Sequence, residues 1–241
     1  MLVKLFKGGG RLRIYLIKRV FFFTGLLTLF MLLFFSLEKT IMVGAYLNPI
    51  YQGNSEKKQV AFLCNVYWGE DVLPEMLKIL EKEQVKISFF IGGIWAKKNP
   101  EVLKSLADSG HELGNHGYLH KHPDQLSVKQ NEEEILKAEN IIKEITGYKT
   151  CLYTPPYGER GKNILKACAN LNYKTILWSI DTIDWQKPAP STIINRVIPN
   201  LTNGAIILIH PMPQTVKALP ELIKLIKKQG YRIVTVGEIL E

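Results

Sequence analysis

The alternation of apolar and polar residues divides the chain into three stretches. Val20 to Leu37 (VFFFTGLLTLFMLLFFSL) carries no charge over eighteen residues, about the length that spans hydrocarbon as a helix rising 1.5 Å per residue. Residues 38–58 have neither helical nor strand periodicity and are rich in turn formers, the pattern of a juxtamembrane stalk. From Gln59 onward short apolar runs alternate with amphipathic patterns. The runs predict seven strands, at Val60–Cys64, Ile87–Ile91, Glu112–Asn115, Thr150–Tyr153, Lys174–Trp178, Ala205–Ile209 and Arg232–Val236. Between them, Ser127–Thr146 opens on a capping box (Ser127-x-x-Gln130), repeats Ile135, Ala138, Ile142 and Ile145 at helical spacing, and stops at Gly147. Thr215–Gln229 likewise gathers Val216, Leu219, Leu222, Ile223 and Ile226 on one face and ends at Gly230. Such alternation requires parallel strands joined by crossover helices. With no GxGxxG after the first strand, the expected fold is an α/β barrel of one domain, 59–241, and not a dinucleotide-binding sheet.

Charge sharpens the N-terminal reading. The net charge is +9, but Lys4, Lys7, Arg11, Arg13, Lys18 and Arg19 precede any acidic residue, and the remainder carries only about +3, mixed with Glu and Asp along helices. That distribution argues against a nucleic-acid partner. A basic flank before an apolar run predicts a cytoplasmic N-terminus. The expected organisation is a cytoplasmic segment 1–19, a transmembrane anchor 20–37, the stalk 38–58 and an extracytoplasmic domain at the cell membrane. The rival is a cleaved signal peptide, for which Val43-Gly44-Ala45 has suitably small residues. Cys64, Cys151 and Cys168 are odd in number and lack C-x-x-C spacing, so they propose neither a disulfide framework nor a zinc knuckle.

In a parallel barrel the ligand-binding loops follow the carboxyl ends of the strands. Polar residues cluster there: Asn65 to Asp71 after the first strand, His116-Gly117-Tyr118-Leu119-His120 after the third, Thr154 to Gly158 after the fourth, Asp181-Thr182-Ile183-Asp184-Trp185 after the fifth and His210 after the sixth. Gly114, Asn115 and Gly117 bracket His116 in a tight loop that aims imidazoles into a cleft. His111-Glu112 opens like the zinc-protease H-E-x-x-H, yet Asn115 stands at the fifth place and that motif fails.

The ordered set NHGYLH, PPYGE, DTIDW and LIH resembles the motifs of the polysaccharide deacetylase family, or NodB homology domain, over Gln59 to the C-terminus. The resemblance implies a distorted seven-stranded barrel acting on the acetamide of N-acetylated cell-wall or related glycans, peptidoglycan among them. It implies a divalent metal, often zinc, held by His116, His120 and an aspartate. It further implies a catalytic aspartate as base, His210 as the acid that protonates the departing amine, and Asp181 holding the His210 imidazole. Trp68, Tyr157, Asp184 and Trp185 would contact substrate.

The first motif departs from the family's T-F-D-D-G. Asn65 stands at the position of the base, and an amide has no useful basicity. Val66 stands at the metal-ligand aspartate, and Thr154 at the arginine that serves the base. Glu70, Asp71 and Glu159 are the nearest carboxylates in sequence that could substitute. The sequence therefore predicts an extracytoplasmic deacetylase-like hydrolase, impaired by Asn65 and Val66. The alternative is a catalytically silent carbohydrate-binding module using Trp68, Tyr118, Tyr157 and Trp185 as sugar platforms.

Overall fold

The computed structural model describes residues 21–34 and 47–241. The chain divides into two units, 1–45 and 46–241. Residues 21–34 of the first are helical, with large apolar side chains such as Phe21 and Leu32 exposed. Among the described residues no helix is long and apolar enough to cross a membrane. The ends of the expected anchor, Val20 and residues 35–37, lie outside the described residues.

The second unit is one curled, all-parallel sheet wrapped by helices. Its strands are β1 (Gln59–Val66), β2 (Ser88–Ile91), β3 (Glu112–Asn115), β4 (Leu152–Tyr153), β5 (Lys174–Thr175), β6 (Ile180–Asp181), β7 (Ala205–Ile209) and β8 (Arg232–Val234). They run in the order β5-β4-β3-β2-β1-β7-β6, with β8 beside β1. The count is eight, not the seven expected. The unforeseen strand, β6, is a two-residue segment paired to β7 through Ile180 and Asp181, too short to print an apolar run. Distortion centres on β1, whose Gln59–Ala61 pair with β8 while Leu63–Val66 pair with β2. Strands β5 and β6 end the sheet and do not pair, so the barrel is half-closed.

Residues 47–58 are not the free stalk expected. Ile50 bridges to Ile176 and Gln52 to Ala205, and the Gly53 and Asn54 amides donate to the carbonyls of Gly204 and Ile239 at 2.8 and 2.9 Å. The segment has no periodicity because it runs across the open part of the sheet, satisfying backbone groups one at a time. The expected stalk residues 38–46 lie outside the described residues.

The helices are α1 (Leu73–Lys82), α2 (Gly93–Lys98), α3 (Pro100–Asp108), α4 (Val128–Thr146), α5 (Lys162–Asn170), α6 (Pro190–Val197), α7 (Pro213–Lys228) and α8 (Val236–Ile239). In α4 the capping box forms as the sequence predicts, Ser127 accepting from the Gln130 amide, and Gly147 ends the helix at φ 73. Parity along the strands sorts side chains into two layers. Val60, Phe62, Cys64 and Val66 join the helix-facing core with Leu73, Met76 and Trp95. Ala61 and Leu63 join the barrel interior with Phe90, Ile206 and Leu208. Past the strand ends the interior row turns polar, which creates the site.

Candidate active site

A cleft of about 590 Å³ opens at the carboxyl end of the sheet. Asn65 and Asp181 line it from β1 and β6, His116 and His210 from just past β3 and β7, and Trp68, His120, Tyr157 and Trp185 from the loops beyond. One deletion applies to the expected set: Asp184 is fully buried and lines nothing. Tyr118 stays outside the cleft, its ring close to Gly93. The expected set also missed Trp178, which lines the cleft beside Gly158. Its signal was parity, since Ile176 faces the barrel interior and Trp178 lies two residues on.

The acid half of the site is assembled around Asp184. Its Oδ1 lies 2.7 Å from His210 Nδ1, and its Oδ2 accepts from the His210 backbone amide at 2.7 Å and from the Thr215 hydroxyl at 2.6 Å. The expectation that Asp181 holds His210 is therefore corrected. Asp181 Oδ1 instead accepts from the Ile183 amide at 2.8 Å. The swap follows from the turn, where Ile183 and Lys187 both adopt left-handed backbone (φ 51 and 55) around the short helical turn Asp184–Gln186. That geometry tucks Asp184 under β7 and leaves Trp185 half-exposed at the rim. A β-branched residue in this conformation costs on the order of 1–2 kcal/mol. With Nδ1 donating to Asp184, Nε2 is the His210 nitrogen left for a ligand. Trp68 stacks on this ring at 5.5 Å between centroids and 10° between planes, and its Nε1 donates to Met212 Sδ at 3.3 Å. Gly69 permits the approach: a Cβ there would lie 2.5 Å from the Pro211 carbonyl oxygen, and its φ is +87.

The opposite wall carries the two histidines. His116 is buried and its Nδ1 donates to the Thr154 carbonyl at 2.7 Å, which leaves the Nε2 lone pair free. Burial first, then the neighbouring His120, pushes its pKa down to about 3, so the ring is neutral near pH 7. His120 sits at φ 53 with its ring 4.9 Å from that of His116, and burial lowers its pKa too. Tyr67 and Tyr157 flank it, each with its ring 4.8 Å away. Tyr157 is itself left-handed at φ 60, and His122 stacks on it at 3.8 Å.

Between these halves the expected chemistry is missing. Asn65 is buried and its Oδ1 has no hydrogen-bond partner among the described residues; nor has Thr154 Oγ1. Val66 points into the helix-facing core and offers no ligand atom. A hydrolytic zinc site needs three protein ligands as a rule; two imidazoles are present, and among the described residues no group of three His, Cys, Asp or Glu could hold a metal. The side chains therefore do not make up the ligand set implied by the sequence motifs. Neither do the other carboxylates replace it. Glu70 accepts from Trp95 Nε1 at 3.3 Å, and Glu159 is engaged by His122 at 2.6 Å and by the Asp124 amide at 2.9 Å. Asp181 is the one carboxylate among the described residues lining the cleft, and its Oδ1 is committed to the turn.

Comparison with known proteins fits this picture. A family profile described as polysaccharide deacetylase matches residues 52–176. Over 193 residues the chain is 42% identical to the uncharacterized protein YlxY of Bacillus subtilis, covering 80% of this chain and 60% of that one. It is 33% identical over 196 residues to a peptidoglycan-N-acetylglucosamine deacetylase of Bacillus cereus, covering 79% of this chain and 71% of the relative. Among solved structures, a CE4 family pseudoenzyme from Bacillus anthracis superposes with a TM-score of 0.79 at 36% identity, over 80% of this chain and 69% of that one. A mutant of the same protein, described as having restored enzymatic activity, superposes with the same score. By profile, relatives and fold alike, this chain belongs to the polysaccharide deacetylase family.

Proposed function

We propose that the chain is a membrane-anchored, extracytoplasmic glycan-binding member of this family, in which hydrolysis of the sugar acetamide is weakened or lost. The observation that carries this reading is that the buried Asn65 amide, its Oδ1 unpartnered, stands where a base must take a proton from water, and that among the described residues the one cleft carboxylate, Asp181, has an oxygen tied to the Ile183 amide. Trp68, Tyr157 and Trp185 line the cleft and are partly exposed, offering aromatic surface for sugar contact. His210, fixed by Asp184, presents Nε2 to the acetamide nitrogen. The names of the relatives support peptidoglycan as the glycan, and the uncharged run Val20–Leu37 behind a basic flank supports the anchor.

A slow deacetylase is the second reading, favoured by the intact His210–Asp184 pair and the two neutral histidines. One experiment separates the two. The full chain in detergent is titrated with N-acetylated chitooligosaccharides and peptidoglycan fragments, with and without added zinc, while binding and acetate release are both followed. Binding without acetate release is the expected result. Release that tracks added zinc would establish the slow enzyme, and absence of binding would end both readings.

A further inference from the structure

The turn joining β6 to α6 delivers two working side chains, yet its backbone is held open against its own preference. Ile183 is β-branched and left-handed (φ 51, ψ 34). Ile183 is half-buried and borders an outer groove of about 420 Å³ together with Asp181 and Arg196. Hydrogen bonds hold the turn. Asp181 Oδ1 accepts from the Ile183 amide at 2.8 Å, and Arg196 Nη1 reaches down from α6 to the Thr182 carbonyl at 2.7 Å. The Thr182 hydroxyl donates to the Leu208 carbonyl at 2.7 Å, tying the same turn to the strand that ends in His210.

We infer that Asp181 and Arg196 are positioning residues: together they clamp the Thr182–Ile183 turn in its left-handed form, and thereby seat Asp184 beneath His210 and Trp185 at the cleft wall. Asp181 serves through its acceptor oxygen and not through its charge. Without the clamp Ile183 relaxes to negative φ, Asp184 swings off the His210 Nδ1 proton, and the sugar-facing ring of Trp185 loses its place. The functional weight of the clamp rests on the reading of the cleft as a glycan site, but its geometry does not.

The test uses the full chain, labelled with ¹⁵N-histidine, in four variants. Hydrogen exchange of the His210 Nδ1 proton reports the Asp184 contact, and chitooligosaccharide affinity reports Trp185. Arg196→Met and Asp181→Leu are expected to speed that exchange and weaken the affinity, each by about tenfold, the size of one lost hydrogen bond. Asp181→Asn keeps an acceptor oxygen and is expected to keep the His210 exchange as slow as in the parent. Adding Ile183→Gly to Arg196→Met restores both readouts, because glycine adopts the left-handed form without cost. A role confined to stability would lower the melting temperature of all variants while leaving the His210 exchange untouched. The inference is overturned if exchange is unchanged in Asp181→Leu, if Asp181→Asn behaves like Asp181→Leu, or if glycine fails to rescue a folded Arg196→Met chain. Should Arg196→Met not fold, the Asp181 pair decides alone. Should the parent bind no glycan, the proposed function falls while the exchange measurements still judge the clamp.

Discussion

Asp184 gathers three donors on one buried carboxylate, whereas Asp181, three residues earlier, holds a single amide at the cleft wall. Their substitutions should therefore differ sharply. Asp184→Ala strands the His210 and Thr215 donors and is expected to cost on the order of 3 kcal/mol in urea unfolding; Asp181→Asn should cost less than about 1 kcal/mol. Sequence could not rank the two, because both sit in DTIDW and only the left-handed residues around the turn decide which goes inside. His111 supplies a second residue-scale prediction. It is buried against Phe89 and its Nδ1 accepts from the Ile87 amide at 3.2 Å. Burial first, then the charge of Lys86, lowers its pKa from 6.5 to about 4. Between those values the unfolded chain binds a proton that the folded chain does not. Stability contributed by this site is thus full above about pH 6.5, falls as pH drops toward 4 by on the order of 3 kcal/mol, and falls no further below. Denaturation of His111→Gln across that window should show a flatter pH dependence than the parent.

At the scale of elements, β1 decides what the missing aspartates mean. Asn65 faces the cleft and Val66 the helices, since successive side chains alternate. An ionised side chain at position 66 would enter the core formed with Leu73, Met76 and Trp95. Val66→Asp is accordingly expected to destabilise by on the order of 3 kcal/mol in urea unfolding. Asn65→Asp replaces an unpartnered oxygen at the cleft with a carboxylate of the same size. It is expected to raise zinc uptake and acetate release above those of the parent, since position 65 lines the cleft with His116 and His120. If the Asn65→Asp chain takes up no zinc, β1 has diverged beyond recovery of the site. Elsewhere the elements were legible: the α4 capping box and the apolar stripe of α7 form where the sequence puts them, because caps and periodicity are local. Strand β6 was not legible. Two residues of pairing carry no period, and only the neighbouring β7 makes them a strand.

For the whole molecule, the open step is how the two units are used. If Val20–Leu37 anchors the chain, alkaline carbonate should leave it in the membrane fraction, and protease added to intact cells lacking an outer wall should digest residues 47–241. Recovery of the full chain in the soluble fraction would overturn the anchor. The half-closed barrel also explains why residues 47–58 read as linker: they bridge Ile176 and Ala205 across a gap no sequence period describes.

Seven of the eight strands, the α4 capping box and the loops that carry the histidines were determined by the sequence alone, because these depend on local period, turn chemistry and the parallel crossover rule. Which oxygen holds His210, which β1 side chain reaches the cleft, and whether Glu70 or Glu159 could replace the lost base were decided only by tertiary structure. The reason is directional: a hydrogen bond needs its partners within about 3 Å and aligned, and residues distant in sequence meet that condition only once the sheet has curled and its turns have set.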